Sequence, residues 1–391
     1  MKLPRVLIVT SFPFPHVGGA STVIEALAAR LQARDMLAGL VSSDRVPPCV
    51  AQRLLYPPFR AVLSDRARAW KLRAAVDRLA EAVGRQPEVA SGLIIHCHDA
   101  AATRAALRGA PPRSTVIQTV HGPWSREAQA AGIDPRSRLH GAIRELEAGA
   151  YAGAALLLPV GRGQADILAE DFGVPPARIR VVNNGVDVER IRLLAGGSVP
   201  PNLPERYFVV PRRLTAKNGV EVAIRALAAL GRDDVDLAIA GDGELRRPLG
   251  ELAHRIGVAG RVHFLGSLPQ HSLFPIVRGS VAVLVPSVPT SGVVEPFSLS
   301  VLEGMACGSP VIGSSIGGNT EMLVDGESGY LVPSDDSEAL AGAMRRVLGL
   351  DGQERAALVE RALARAGGEL SATAWFTRTC AIYEELTHGG G

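Results

Sequence analysis

The start of a predicted helix near residue 298 carries the strongest chemical pattern in the chain. The apolar run at residues 281–287, VAVLVPS, predicts a strand that leads into a loop, and a helix follows from Phe297 or Ser298 to Gly308. The first N–H groups of a helix have no partner inside it and attract anions. We therefore expect a phosphate to bind beside Phe297, Ser298 and Leu299.

Two glutamates lie on either side of this expected phosphate. Glu295 precedes the helix, and Glu303 falls about a turn and a half inside it. One carboxylate can bind a group just beyond the phosphate, and the other can bind a group just behind it. A nucleotide sugar has this layout of hydroxyl groups, because a diphosphate separates its hexose from its ribose. The spacing therefore predicts a nucleotide-sugar site.

Short apolar runs alternate with amphipathic, alanine-rich stretches along most of the chain. The first series is VLIV (6–9), GLIIH (92–96), TVIQTVH (115–121), ALLLPV (155–160) and RIRVVNNG (178–185). The second series is YFVV (207–210), VDLAIAG (235–241), RVHFLG (261–266), VAVLVPS (281–287) and SPVIGS (309–314). Strands separated in this way by helices are typical of parallel sheets, which bind ligands at the carboxyl ends of their strands.

A linker divides the two series. Gly and Pro concentrate in LLAGGSVPPNLPER, residues 193–206, and a chain of 391 residues is long for one domain. We predict an α/β fold with two doubly wound domains, the first at residues 1–200 and the second at residues 201–372. Residues 373–391 are predicted to form a helix that crosses back to the N-terminal domain.

Composition narrows the class of protein. The chain has 42 basic and 39 acidic residues, a net charge of +3, 47% hydrophobic residues and 4% aromatic residues. This balance favours a soluble globular protein and disfavours nucleic acid as the ligand. The cysteines, Cys49, Cys97, Cys307 and Cys380, are far apart and predict free thiols rather than a zinc or redox motif.

Targeting and metal-binding patterns are equally sparse. The first apolar run, VLIV, is too short for a signal-peptide core, and no later segment reaches about 18 uninterrupted apolar residues, so we predict a cytoplasmic protein. The cluster His96, Cys97, His98 and Asp99 is interpreted as strand-end packing near an acceptor, because no second group of ligands accompanies it. We predict no metal and no cofactor.

The stretch at residues 60–85 is rich in arginine and predicts a basic amphipathic helix. Such a helix can lie on an anionic membrane. An ordinary solvated helix in an arginine-rich protein explains the same pattern. The sequence leaves both interpretations open, and it leaves the oligomeric state open as well.

Glu295, Glu303 and the following GMACGSPVI resemble the C-terminal signature of the family 4 retaining glycosyltransferases of the GT-B fold. That signature has two glutamates separated by seven residues before A-M-A-x-G-x-P-V, and Gly304 stands where alanine is usual. Other segments resemble the family in its order: SFPFPHVGGASTVIEALAARL, IHCHD, TVHG, VVNNGVDVERI, IAGDGELRRPL, RVHFLG and DGESGYLV. The resemblance implies two Rossmann-like domains facing each other across a cleft. It also implies retaining transfer of a hexose from a nucleotide-diphosphate sugar, with UDP as the first choice of nucleotide.

The resemblance implies roles for matching residues. Gly18 and Gly19 would let the backbone approach the donor, since a side chain there would block it. His121 resembles the family histidine near the sugar and phosphate, and Glu295 and Glu303 match the two signature glutamates. The remaining residues implied to bind the donor are Gly241, Asp242, Val262, His263, Pro296, Phe297, Ser298 and Leu299.

A phosphate clamp is implied by the segment VVPRRLTAKNGVE, which resembles the family pattern G-R-L-x-x-x-K-G. Alignment on the shared leucine and glycine makes Arg213 the clamp arginine, whereas spacing from Lys217 selects Arg212. Lys217 lies one position before the usual lysine, where Asn218 stands. Fixed cations of this kind would stabilise a departing nucleoside diphosphate without a metal ion.

Two other functions compete with hexose transfer. One is a non-catalytic sugar-binding or partner subunit of a glycosyltransferase, and the other is a nucleotide-sugar 2-epimerase on a similar fold. The presence of Glu295, Glu303, Lys217 and His121 favours catalysis, and the paired glutamates speak against the epimerase. The acceptor, a small molecule, a glycan or a lipid, is not indicated, because the loops that would bind it vary freely.

Overall fold

The computed structural model describes residues 4–15, 19–45, 64–86, 93–201, 203–290, 294 and 296–388. The chain divides into two compact units. The first unit comprises Met1–Asn183 with Phe376–Gly391, and the second comprises Asn184–Trp375.

The first unit alternates strands and helices. Its described elements are β1 (Val6–Val9), α1 (Gly19–Ala33), β2 (Leu37–Val41), α2 (Asp65–Gly84), β3 (Ile94–Cys97), α3 (Ala100–Gly109), β4 (Thr115–Val120), α4 (Trp124–Ala130), α5 (Arg138–Gly153), β5 (Leu156–Pro159) and α6 (Arg162–Phe172). The strands form a parallel sheet in the order β2-β1-β3-β4-β5.

Burial explains why these short runs form strands. All four residues of β1 and of β3 are buried, as expected for a parallel sheet covered on both faces. The chain leaves β1 for β2 on one side and later returns to β3 on the other side, so the strand order reverses between β1 and β3. Ligands of doubly wound sheets bind at the carboxyl ends of the strands beside such a reversal.

The second unit repeats this plan. Its described elements are α7 (Val188–Ala195), β6 (Tyr207–Val210), α8 (Val220–Ala229), β7 (Asp236–Ala240), α9 (Arg246–Arg255), β8 (Val262–Gly266), α10 (Gln270–Gly279), β9 (Val283–Val285), α11 (Leu299–Ala306), β10 (Val311–Ser314), α12 (Asn319–Met322), β11 (Tyr330–Val332), α13 (Ser337–Gly349) and α14 (Gly352–Gly367). The parallel strands follow the order β11-β10-β9-β6-β7-β8, so the reversal lies between β6 and β9.

The predicted α/β class with two parallel, doubly wound sheets is confirmed. The predicted strand at residues 178–185 is wrong, because this segment makes only an isolated bridge from Ile179 to Leu157 of β5. Further hydrogen bonds run from the N–H groups of Arg180 and Val182 to β5. The segment therefore follows the sheet edge without forming a regular strand.

The last helix, α15 (Ala372–His388), begins in the second unit, and its residues from Phe376 onward belong to the first unit. Within the first unit, Phe376 and Tyr383 are buried, and the guanidinium of Arg34 lies 4.9 Å from the centre of the Phe376 ring. The C-terminal segment thus completes the core of the unit that contains β1. Of the helices in the described ranges, none has both the length and the apolar character needed to span a membrane.

Candidate functional site

A buried arginine lies at the strand-order reversal of the second sheet. Arg212 follows the end of β6 and is 6% exposed. Its Nη1 donates a hydrogen bond to Oγ of Ser298 at 2.6 Å, and its Nη2 donates to Oδ1 of Asn218. The guanidinium therefore joins the loop after β6 to the residue that precedes α11.

The N-terminus of α11 lies beside this guanidinium. The helix begins at Leu299, slightly later than predicted, and ends at Ala306. The Ser298 side chain makes no capping hydrogen bond to the helix, and its hydroxyl accepts the hydrogen bond from Arg212. In the described part of the chain, the N–H groups of Leu299 and Ser300 donate to no protein acceptor. A cation and free helix N–H groups in one place can attract an anion, so this position is the candidate anion site.

Glu303 lies one turn into α11. Its carboxylate is partly exposed and accepts no hydrogen bond from the described residues. Burial raises the pKa of Glu303 to about 7. A carboxylate in this state is available to accept hydrogen bonds from a ligand.

Of the three predicted site residues that precede Ser298, the structure describes Pro296 and Phe297. Pro296 is partly buried, and a methyl group added at Gly318 would lie 2.4 Å from the Pro296 carbonyl oxygen. Phe297 is 7% exposed. Glu295, like Gly18 of the first unit, lies outside the described residues.

The two candidate clamp arginines occupy different environments. Arg213 is exposed, and its side chain makes no hydrogen bond to the described residues, whereas Arg212 is buried against Ser298. Asn218 is also buried, and its Nδ2 donates to the Arg213 carbonyl oxygen at 2.8 Å. Lys217 is partly exposed in the turn Ala216–Asn218. The structure thus brings Arg212, rather than Arg213, to the helix start.

The glycine turn after β7 packs against this loop. A methyl group added at Gly241 would lie 1.9 Å from the Arg212 carbonyl oxygen, so only glycine fits there. The carbonyl oxygen of Asp242 accepts a hydrogen bond from the N–H of Leu214 at 3.0 Å, while its exposed carboxylate accepts one from Gly243 N–H at 2.8 Å. Gly241 and Asp242 therefore border the same loop as Arg212.

Val262 and His263 are not brought to this position. Val262 pairs with Leu237 near the amino end of β7, and the imidazole of His263 contacts the Asp236 carboxylate at 2.6 Å. The carboxyl end of β8 lies at Gly266, opposite Ala240. These two residues, which the resemblance implies to bind the donor, thus lie at the far end of their strand from the candidate anion site.

The first unit places His121 at the carboxyl end of β4 and Gly19 at the start of α1. Gly19 is exposed, and His121 is partly exposed. Burial lowers the pKa of His121 to about 4, so this imidazole is neutral at physiological pH. A neutral imidazole can donate one hydrogen bond and accept another.

Two further histidines continue from His121 across the sheet. Nδ1 of His98 lies 3.3 Å from Nε2 of His121, and the rings of His96 and His98 stack with centroids 4.7 Å apart. His96 contacts the Tyr383 hydroxyl at 2.6 Å and the Thr119 hydroxyl at 2.7 Å. The sequence interpretation treated His96 and His98 as packing, so it missed that they form one row with His121.

Two buried carboxylates support the loops around this row. Asp99 caps α3 through the N–H of Ala102 at 2.8 Å and accepts the N–H of Ser11 at 2.7 Å. Glu147 is fully buried and accepts the first N–H groups of α4, from Trp124 and Ser125. Burial raises the pKa of Glu147 to about 7. Glu147 lies on the apolar face of α5, and a charged residue on a buried face needs a hydrogen-bonding partner. This position is the feature of the sequence that could have identified it.

Matches to two family models cover most of the chain. The model described as Glycosyltransferase Family 4 matches residues 17–190, and the model described as Glycosyl transferases group 1 matches residues 198–365. The chain belongs to the family 4 glycosyltransferases. Both models apply in the order that the sequence motifs indicated.

Curated relatives of this family 4 member share about a third of the aligned residues. An uncharacterized glycosyltransferase of Methanocaldococcus jannaschii is 30% identical over 49% of the chain and 50% of the relative. A D-inositol 3-phosphate glycosyltransferase of Salinispora tropica is 32% identical over 57% of the chain and 49% of the relative. A putative colanic acid biosynthesis glycosyltransferase, WcaL of Salmonella typhimurium, is 30% identical over 71% of the chain and 66% of the relative. The chain spans about half the length of the first two relatives.

Solved structures share the GT-B fold of this family 4 member over almost its whole length. HepE of Anabaena, solved in complex with UDP, is 17% identical with a TM-score of 0.71, over 97% of this chain and 100% of that one. Sucrose-phosphate synthase of Thermosynechococcus elongatus is 20% identical with a TM-score of 0.76, over 99% of this chain and 100% of that one. At these identities the likeness concerns the fold alone.

Proposed function

We propose that this protein transfers a hexose from a nucleotide-diphosphate sugar to a hydroxyl group of an acceptor, with retention of configuration at the anomeric carbon. The observation that carries the proposal is the anion site formed by Arg212 and the start of α11. It lies at the strand-order reversal of the second sheet, where doubly wound sheets bind nucleotides.

The diphosphate is assigned to this anion site. The Arg212 guanidinium presents several N–H donors in a fixed plane, which suits phosphate oxygens. The Ser298 hydroxyl and the backbone near Phe297 and Leu299 would border the same group. Together these groups would balance part of the negative charge of the diphosphate.

The sugars on either side of the diphosphate are assigned to carboxylates. Glu303 would accept hydrogen bonds from the ribose hydroxyls, because its carboxylate has no described partner and is partly exposed. Glu295 is assigned to the hexose on the strength of the family signature. His121, Gly18 and Gly19 are assigned to the sugar and phosphate on the strength of the family resemblance.

Lys217 is assigned to the leaving group. As the bond between sugar and phosphate breaks, negative charge gathers on the nucleoside diphosphate, and a fixed cation stabilises that charge. The turn that carries Lys217 is anchored, because its carbonyl oxygen accepts the N–H of Val288 at 2.9 Å. Turn geometry therefore holds the backbone of this lysine close to the loop after β9.

UDP is the proposed nucleotide. HepE was solved with UDP, with UDP and glucose, and with UDP-glucose, which supports a uridine donor in a protein of the same fold. The relatives differ in the acceptors or pathways their names give, inositol phosphate in one and colanic acid in another. The acceptor class is accordingly proposed only as a small molecule, a glycan or a lipid.

The test uses the purified protein with a panel of UDP-, GDP- and ADP-linked hexoses and no acceptor. We expect slow hydrolysis of one donor, with release of the free nucleoside diphosphate. Proton NMR of the first sugar formed from an α-linked donor should show the α anomer, since retention preserves it. Arg212→Ala should strongly reduce the release, whereas the matched control Arg213→Ala should leave it unchanged.

Other outcomes decide against the proposal. Nucleotide binding without hydrolysis or transfer, in the presence of broad acceptor mixtures, would indicate a non-catalytic subunit. Interconversion of the hexose at carbon 2 would indicate an epimerase. Appearance of the β anomer first would contradict retention while leaving hexose transfer intact.

We also propose that the protein works in the cytoplasm, where the buried free thiols of Cys97, Cys307 and Cys380 would stay reduced. The membrane contact expected from residues 60–85 stays a prediction. Residues 60–63 lie outside the described ranges, and α2 carries Trp70 at 67% exposure. An exposed tryptophan among arginines supports the membrane interpretation.

A further inference from the structure

His98 has an unusual hydrogen-bonding position. It follows β3, is 2% exposed, and places Nδ1 at 3.3 Å from Nε2 of His121. Its other ring nitrogen, Nε2, is buried with no hydrogen-bond partner in the described part of the chain. Among the described residues, His121 is therefore the one hydrogen-bond partner of the His98 side chain.

The ring of His98 is held from both sides. His96 stacks on it with an angle of 22° between the ring planes, and the ring planes of His98 and His121 differ by 21°. His96 is itself fixed by hydrogen bonds to Tyr383 and Thr119. The row of rings leaves His98 little freedom to turn away from His121.

The contact between His98 and His121 couples their tautomers. All three histidines are neutral at physiological pH, because burial lowers the pKa of His96 to about 3, that of His121 to about 4, and that of His98 well below its usual value. A neutral imidazole carries one hydrogen, so one nitrogen of the 3.3 Å contact must donate and the other must accept. The hydrogen of His98 thus decides where the hydrogen of His121 lies.

The partnerless Nε2 of His98 selects between the two arrangements. A hydrogen on Nε2 would be a buried donor without an acceptor, and buried donors are left unpaired less often than buried acceptors. The hydrogen of His98 is therefore assigned to Nδ1, which donates to Nε2 of His121. The hydrogen of His121 must then lie on its Nδ1.

We propose that His98 is a positioning residue that holds His121 in the tautomer with hydrogen on Nδ1. His121 then presents an N–H donor, rather than a base, to an oxygen of the substrate. The second statement rests on the proposed function, whereas the tautomer itself does not. His121 makes no other hydrogen bond to the described residues, so its Nδ1 is available for this role.

The first experiment is ¹⁵N NMR of the protein with ¹⁵N-labelled histidine, assigned by comparison with His121→Gln. We expect the His121 signals of a neutral ring with hydrogen on Nδ1. In His98→Phe, which keeps a ring but removes the donor, the signals should shift towards the tautomer with hydrogen on Nε2. Hydrogen on Nε2 of His121 in the unchanged protein, or no shift in His98→Phe, would overturn the proposal.

Two variants separate positioning from folding. Tyr383→Phe removes the hydroxyl that contacts His96 but keeps the contact of His98 with His121, so the tautomer of His121 should not change. His98→Asn places an amide donor near the former Nδ1 and should restore the tautomer with hydrogen on Nδ1. If His98→Phe fails to fold, the spectra of the unchanged protein and of His98→Asn still decide the question.

Kinetics then tests the role in the reaction. With an active donor, His98→Phe should lower kcat about tenfold, the effect of one misplaced hydrogen bond, with little change in KM. His98→Asn should recover most of the loss. An unchanged kcat in His98→Phe, together with a shifted tautomer, would overturn the donor role of His121. A protein with no transferase activity would refute the proposed function and leave the NMR result valid.

Discussion

Replacing Arg212 by alanine should lower both the nucleotide affinity and the stability of the second unit, because the same guanidinium would bind the diphosphate and pairs with two buried side chains. The side chain is 6% exposed and donates hydrogen bonds to the Ser298 hydroxyl and to the Asn218 amide oxygen. Both of these partners are also buried, at 3% and 6% exposure. The variant thus leaves two buried polar groups without their donor.

The size of both effects follows from these contacts. A buried polar group left unpaired costs about 1–3 kcal/mol, so we expect a loss of about 3 kcal/mol in the free energy of unfolding. For a unit of this size, that corresponds to a fall of about 6–12 °C in melting temperature. Loss of a charge-assisted contact to the diphosphate should also weaken nucleotide affinity about 100-fold.

Calorimetry with UDP, at a temperature where the variants remain folded, separates the two effects. Arg213→Ala is the matched control, because this neighbour is exposed and its side chain makes no hydrogen bond to the described residues. It should stay within about 0.5 kcal/mol of the unchanged protein in stability. If Arg213→Ala lost nucleotide affinity while Arg212→Ala kept it, the assignment of the anion site to Arg212 would be refuted.

Four further predictions test the rest of the site. Glu303→Gln should weaken UDP binding. In the unchanged protein, UDP affinity should fall as the pH drops through about 7, because the raised pKa of Glu303 converts its carboxylate to the neutral acid there. Calorimetry at pH 6 and pH 8 checks both expectations. Lys217→Ala should lower kcat about 10²- to 10³-fold with at most a moderate loss of UDP affinity, and normal turnover would refute its role. Saturating EDTA should leave the rate unchanged, whereas a loss restored by magnesium or manganese would contradict the metal-free site. Gly304→Ala should destabilise the second unit by about 1–3 kcal/mol in a thermal melt, because the new methyl group would lie 2.9 Å from Cγ2 of Val311 and 3.0 Å from Cγ2 of Val283.

Sequence pattern predicted the central strands and the edge strands β5 and β8, but it missed the edge strand β2. Runs such as VLIV and YFVV are buried along their whole length, and the resulting apolar signal is unambiguous. The edge strand β2, LAGLV, is mostly only partly buried, so it lacks that signal and was not predicted. Residues 178–185 carry the apolar signal but lie along the edge beyond β5, where one bridge replaces a ladder.

The helix start at the candidate anion site was predicted more fully than the residues around it. A helix start after a strand is visible in the sequence, so Ser298 and Leu299 were identified from spacing alone. The choice between Arg212 and Arg213 depends on which side chain turns inward, and two adjacent arginines give no sequence signal for that. The assignment of Val262 and His263 to the donor came from the order of motifs, which does not specify the end of the strand at which a ligand binds.

The contact between Tyr383 and His96 joins residues 287 positions apart in the chain. During synthesis on the ribosome, β1 to β5 emerge long before α15, and the whole second unit emerges between them. The core of the first unit therefore stays incomplete beside His96 until α15 has been synthesised. Since domains generally fold as they emerge, the second unit should reach its native state before the first is complete, reversing the order in which the two are translated.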